Sequence, residues 1–227
     1  MKTKSKSLLF LSLVLCSAVN AQVKFSIATD LSVLHNFGRQ QPFTVAGQTI
    51  HTEWHAEEKN TFYAWFTYHR NGSYSKSLTA TAKVITTQPQ TISFSNNAEM
   101  RLRQLSLGIK KYLVGSYKKT ERFNLYGAAG FGLIMGKASN NFSVPVDTLR
   151  YTVQNNVISG SGNFKRLSFD LTAGWEMPVA YEIFVFSEMR IHIPTTDYPN
   201  NYLLKNTGAP FLGSINFGMR ILFNDER

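Results

Sequence analysis

Phe211-Leu-Gly-Ser-Ile-Asn-Phe-Gly-Met-Arg-Ile-Leu-Phe223 alternates without a slip. Its odd positions read Phe211, Gly213, Ile215, Phe217, Met219, Ile221 and Phe223, and its even positions read Leu212, Ser214, Asn216, Gly218, Arg220 and Leu222. A strand points successive side chains to opposite faces, so one face is apolar and ends in aromatic rings while the other is mostly small or polar. The same period governs 23–33, where Val23, Phe25, Ile27, Leu31 and Val33 oppose Lys24, Ser26, Ala28, Asp30 and Ser32. It governs 163–176 as well, with Leu167, Phe169, Leu171 and Trp175 against Arg166, Ser168, Asp170 and Thr172.

Extended along the chain, this reading predicts eight strands, at 23–35, 60–70, 73–84, 99–113, 122–137, 163–176, 181–194 and 211–223. The gaps between them hold 24, 2, 14, 8, 25, 4 and 16 residues, so long and short alternate. The short gaps carry turn chemistry, including Asn71-Gly72, a strong two-residue hairpin signal, and Met177-Pro178-Val179-Ala180. The long ones are rich in Asn, Thr, Ser, Gly and Pro. Short turns at one end and long loops at the other describe a bacterial outer-membrane barrel, and every segment reaches the 9–11 residues that a tilted strand needs to cross. A soluble sandwich would have shorter strands and no reason to gather its long loops. A lipocalin-type barrel would turn its apolar face inward and carry abundant charge outside. The predicted fold is therefore all-β: an eight-stranded antiparallel up-and-down transmembrane β-barrel, with outer loops 36–59, 85–98, 138–162 and 195–210.

Composition agrees. Charged residues make up 17% and aromatics 13% of 227 residues, short of charge and rich in rings, which excludes a disordered chain. The single Cys, Cys16, excludes a disulfide scaffold and a cysteine zinc site. Lys2, Lys4 and Lys6, the apolar run Leu8–Cys16 and the small residues up to Ala21 have the three parts of a secretory signal peptide. Cleavage after Ala21 divides the chain into a 1–21 signal peptide and a 22–227 barrel domain. A lipid anchor on Cys16 would require a small residue before it, where Leu15 stands. Removing the signal takes three of 24 basic residues and none of the 14 acids, leaving a net charge of +7.

Across Gln22–Phe223 the chain resembles the small outer-membrane barrels of the OmpA/OmpX-like superfamily. Leu125-Tyr-Gly-Ala-Ala-Gly-Phe-Gly132 is similar to the Gly-rich strand these barrels carry. Ile215–Phe223 resembles the terminal signal read by the barrel-assembly machinery, with Phe223 in the reading position, although Asn224-Asp-Glu-Arg227 follow it. The Ala21-Gln22 junction is similar to that of Bacteroidota exported proteins. The resemblance implies the outer membrane of a Gram-negative bacterium and, as partners, outer-membrane lipids, the assembly machinery during biogenesis and other outer-membrane proteins. It implies no cofactor and no nucleic acid.

Parity then sorts the side chains. Ile215, Phe217, Met219, Ile221, Phe223, Leu167, Phe169 and Leu171 are expected to face lipid. Asp170, Glu188, Arg190 and Arg220 are expected to form an ion network in the lumen: a tight turn brings position 170 level with 187–188, puts Arg190 one diagonal step from Asp170, and lets Arg220 enter from the next strand. Segments 60–70 and 181–194 are apolar on both faces, which leaves their facing open. Pairing across Asn71-Gly72 would turn Tyr63 and Trp65 outward and Phe66 inward.

For chemistry, the five histidines are His35, His51, His55, His69 and His192. They gather with no Ser or Asp into a rim site of the kind small barrel enzymes use, although His35 and His192 both approach the outer rim. No catalytic residue is assigned. His51 and His55 are spaced i, i+4, which on a helix could hold a divalent metal, but a solvated loop is the favoured reading. Lys110, Lys111, Lys118, Lys119 and Arg122 surround the 114–121 turn, suited either to inner-leaflet phosphates or to solvent. Asp147-Thr148-Leu149 resembles a Bacteroidota O-glycosylation acceptor at Thr148. The function expected is a non-enzymatic, plugged outer-membrane barrel acting through its loops in surface contact or envelope integrity. The alternative is an accessory subunit of a larger secretion or barrel-assembly complex, and an outer-membrane enzyme ranks third.

Overall fold

A computed structural model describes residues 24–118, 123–197, 201–206 and 208–223. The expected signal segment 1–21, Lys119 and Arg122 lie outside these described residues. The strands are β1 (Lys24–Asn36), β2 (Phe43–His55), β3 (Asn60–His69), β4 (Gly72–Ala82), β5 (Thr91–Val114), β6 (Asn124–Phe142), β7 (Tyr151–Val153), β8 (Gly160–Pro178), β9 (Ile183–Pro194) and β10 (Leu212–Phe223). Eight of them, β1-β2-β3-β5-β6-β8-β9-β10, pair in that order, and β10 closes back on β1 through Phe25↔Phe223 to Asn36↔Leu212. All pairings are antiparallel, so the chain forms a closed eight-stranded antiparallel barrel with no free edge in its wall.

One of the eight wall strands is not where the alternation put it. The predicted outer loop 36–59 contains β2, which pairs with β1 from Asn36↔Phe43 to Lys24↔His55. Its inward side reads Phe43, Val45, Gly47, Thr49, His51, Glu53 and His55, whereas its outward apolar residues are Ile50 and Trp54. The apolar side therefore switches faces mid-strand, so no single face reads as hydrophobic. The true outer connection there is 37–42, and 56–59 is a tight turn at the opposite end, closed by Ala56 N–H to Asn60 O.

Segment 73–84, conversely, does not cross the membrane. The 24-residue β5 pairs with β3 along its lower part, Tyr68↔Arg103 to Asn60↔Lys111, and with β4 along its upper part, Gly72↔Met100 to Thr81↔Thr91. The chain thus passes Asn71-Gly72 without reversing, and β4 continues upward beside β5. Gly72 is required for another reason: a Cβ there would run into the ring of Phe43. With the hairpin gone, the facing in β3 inverts. Tyr63 and Trp65 point into the lumen and are buried, while Phe62 and Phe66 face outward.

Beyond the wall, β4 and the upper parts of β5 and β6 form an outer sheet, with β7 paired to β4. Leu78, Ala80, Phe94, Tyr151, Val153, Val157 and Leu204 make its apolar core, which ties the two long outer connections to the sheet. Thr148 sits in an exposed turn of the 143–150 connection, its carbonyl accepting from Lys83 Nζ at 2.8 Å.

Candidate functional site

The barrel interior is where the chain's chemistry collects. Eight strands leave a lumen just wide enough for side chains to fill, and this one is filled in tiers. Glycines make the room: a Cβ at Gly130 would strike the Tyr63 hydroxyl, and one at Gly132 would strike Asp170 and Gln104.

Nearest the end that carries Lys24 and Phe223, Arg220 donates to Glu176 at 2.7 Å and 3.1 Å and to the Ser26 hydroxyl at 2.8 Å. Lys110 bridges Glu53 at 3.0 Å and Glu176 at 3.4 Å. Tyr112 and Asn124 donate to the same Glu176 carboxylate, so all four charges are partnered. This relocates Lys110 from the predicted basic turn to the lumen, because its even position on β5 points inward. Lys111 faces out, and Lys118 lies 3.7 Å from Glu58.

The middle tier is built on Arg190. Its Nη2 lies 2.8 Å from Asp30 Oδ2 and 2.7 Å from His51 Nε2, its Nε donates to Glu188 Oε1 at 2.6 Å, and its guanidinium stacks 3.7 Å from the Trp65 ring centroid. Tyr126 donates to the other Glu188 oxygen at 2.9 Å. Above it, Asp170 accepts from Gln104 and Ser168 at 2.9 Å, from Ser106, and meets His192 Nδ1 at 2.9 Å. A final tier is apolar: Leu34, Phe43, Val45, Met100, Leu102, Ile134, Phe164, Leu203 and Leu212 cluster, buried, toward the other end of the barrel.

Asp170, Glu188, Arg190 and Arg220 thus all face the lumen, but they do not form the single network expected. The β8–β9 register sets Asp170 opposite His192 and Gly174 opposite Glu188, four residues away from the predicted level. Only Glu188 and Arg190 meet; Asp170 takes His192 and Gln104, and Arg220 takes Glu176. Parity alone could have found Asp30, Glu176 and His192. Glu53 and His51 were hidden by the missed β2 strand, whereas Lys110 stood on the inward parity of the expected strand 99–113 and was grouped with the basic turn beside it.

His51 and His55 lie on a strand and not in a solvated loop or helix. Four residues along a strand separate them by about 13 Å, and His55 bonds instead to Ser26 at 2.7 Å and Thr61 at 2.9 Å. Asp30, His51 and Glu188 do bring ligand atoms within 4.8 Å of one another, but the Arg190 guanidinium already occupies that centre. As for nucleophilic chemistry, the Ser106 and Ser168 hydroxyls sit on the Asp170 carboxylate and not on an imidazole. Ser26 does meet an imidazole, yet a threonine stands where an orienting carboxylate is needed, and the pair is buried.

The exterior is the inverse of the interior. Phe217 is 63% exposed, Leu167 60% and Ile215 50%, and Phe169, Leu171, Met219, Ile221 and Phe223 face the same way. Such a band around a closed wall is solvated by hydrocarbon and not by water. No family model matches the chain, and no curated protein matches it. Solved structures do. Neisserial surface protein A is similar over 87% of this chain and 96% of its own, with a TM-score of 0.53 at 10% identity. The outer-membrane protein OprG of Pseudomonas aeruginosa is similar over 89% and 97%, with a TM-score of 0.50 at 8% identity. The fold is that of a small OmpA/OmpX-like outer-membrane barrel. Its apolar belt has the surface that this location requires.

Proposed function

We propose that this chain is a non-enzymatic, integral outer-membrane barrel with a sealed lumen, which acts through the surface it presents outside the membrane in surface contact or envelope integrity. The observation that carries this reading is the filling of the lumen, in which a cavity of about 20 Å³ between the Lys110–Glu53 pair and Arg190 leaves no room for a path. Two charge clusters, the Asp170 cluster and an apolar mouth follow one another along the axis, each with its buried polar groups largely partnered. A pore would need an unfilled path, and a hydrolase would need an accessible nucleophile; neither fits these buried tiers. The outer sheet supports the same reading, since its ordered apolar core holds a defined surface above the membrane. Biogenesis through the barrel-assembly machinery would read Ile215–Phe223, with Phe223 stacked on Phe25 at 4.9 Å between centroids.

The accessory-subunit reading has one observation in its favour. An apolar groove of about 350 Å³ lies between Val33 of β1, Met189 and Ile191 of β9, and Phe37 and Phe211, which flank the outer ends of β1 and β10. It would seat a neighbouring membrane protein. Purification in mild detergent separates the two: a lone heat-modifiable monomer supports the first reading, and stoichiometric outer-membrane partners support the second.

A further inference from the structure

The outward faces of β3, β5, β6 and β8 carry a pattern that neither the lumen nor simple lipid contact requires. Cross-strand register arranges them in rows. Leu105, Leu133 and Leu167 form one outward row. The next row toward the outer end is Arg103, Met135 and Lys165, with Tyr68 opposite Arg103 and its ring centroid 5.7 Å from the guanidinium. The row beyond pairs Arg101 directly with Lys137. Successive rows on one face lie about 6.8 Å apart, so four cations occupy two adjacent rows just past the apolar band. Among the described residues, none of the four has an acidic partner within ion-pair distance. Like charges facing each other across strands are destabilising by themselves, and Arg101 and Lys137 face each other with one acid near them, Glu99, which stands one row farther out and is not in ion-pair contact with either.

Farther out the chemistry changes again. The next rows are Ser73, Glu99 and Ser139, then Ser75, Asn97 and Asn141. Two cavities line this face, of about 240 Å³ and 670 Å³, and they share Glu99 and Ser139, so one trough runs from Arg101 and Lys137 to Asn141. The upper outward face of β9, β10 and β1 is apolar instead, with Ile191, Gly213 and Val33.

We propose that this wall of β3, β5, β6 and β8 is the docking site of a phosphorylated glycolipid of the outer leaflet. The inference rests on the reading that the barrel spans the outer membrane with its long connections outside. Acyl chains lie on Leu105, Leu133 and Leu167. The phosphates sit among Arg101, Arg103, Lys137 and Lys165, where arginine forks match phosphate oxygens and lysines add point charges. The sugar enters the trough, whose Ser and Asn side chains both donate and accept hydrogen bonds, as sugar hydroxyls do. The order apolar, cationic, then hydroxyl and amide with the single carboxylate of Glu99 among them is the order of such a lipid from tail to headgroup, and Glu99 can accept from sugar hydroxyls. A soluble anion or free glycan would leave the leucine row without a counterpart.

The test is a binding titration of the full barrel in dodecyl maltoside micelles against diphosphorylated lipid A, its dephosphorylated form and phosphatidylglycerol. Wild type should bind the diphosphorylated form saturably. Loss of the phosphates, or the double change R101Q/K137Q, should weaken binding about tenfold or more, the scale of charge-assisted contacts. Phosphatidylglycerol, which lacks the sugar, should also bind more weakly. Lys111→Gln, outward at the opposite end of β5, should leave binding unchanged. The proposal is overturned if R101Q/K137Q binds like wild type, if Lys111→Gln loses as much, or if phosphatidylglycerol binds as tightly as lipid A. Heat-modifiable migration of each variant reports folding separately. Fractionation of cells reports the membrane location, so failure of that reading is distinguishable from failure of this one.

Discussion

Arg190 of β9 reaches past β10 to set its Nη2 2.8 Å from the Asp30 carboxylate of β1, so one guanidinium ties together strands that are not neighbours in the wall. The same side chain holds Glu188 and lies over Trp65. Through it the barrel is cross-braced from inside, independently of the backbone ladder.

Arg190→Ala should therefore cost about 3–5 kcal/mol, because it strands two buried carboxylates beside each other. The expected readout is a lower urea midpoint in a folding titration in lipid vesicles. Arg190→Met combined with Asp30→Asn and Glu188→Gln should recover much of the loss, since it removes the charges together. Equal stability of Arg190→Ala and wild type would contradict the bracing.

The outer face makes the opposite demand. Phe217 lies mid-strand and 63% exposed among Ile215 and Met219, so Phe217→Arg should cost about 2–4 kcal/mol in the same titration. Phe217→Leu should be nearly neutral. If both are tolerated alike, the lipid-facing assignment of β10 is wrong.

Gly72 offers a test of the revised topology. Adding a methyl there meets the Phe43 ring, so Gly72→Ala should destabilise by about 1–3 kcal/mol through overpacking. Phe43→Leu in the same chain should relieve most of this. In a β3–β4 hairpin, positions 72 and 43 would not touch and no rescue would appear.

Orientation can be read on cells. A cysteine at Leu149, 86% exposed in the 143–150 connection, should react with an impermeant reagent on whole cells. One at Tyr181, 82% exposed in the 179–182 turn, should react only after the envelope is opened. The reverse pattern would invert the barrel.

The fold class was legible because Phe211–Phe223 and 167–175 have a uniformly apolar or small exterior, as contact with hydrocarbon demands of outward positions. What escaped was any strand whose two faces share the apolar residues. β2 has Phe43 and Val45 inside near the apolar mouth and Ile50 and Trp54 outside lower down, so its alternation was present but split. Asn71-Gly72 misled for a related reason: the glycine serves close packing against Phe43, not a reversal. Once that register slipped, Tyr63 and Trp65 were placed on the wrong face, since a one-residue change in facing inverts every side chain in a strand. In the lumen, parity sufficed to place Asp170, Glu188, Arg190 and Arg220 inward. Their partners depended on register, and an error of four residues between β8 and β9 exchanged Asp170's partner from Arg190 to His192.

The proposal that the lumen is sealed is most directly tested by single-channel recording of the refolded wild-type barrel in planar bilayers. The filled tiers from Arg220 through Arg190 and Asp170 to the apolar mouth predict no steady conductance at any applied voltage that the bilayer tolerates. Long-lived, reproducible open levels in wild type would contradict the account.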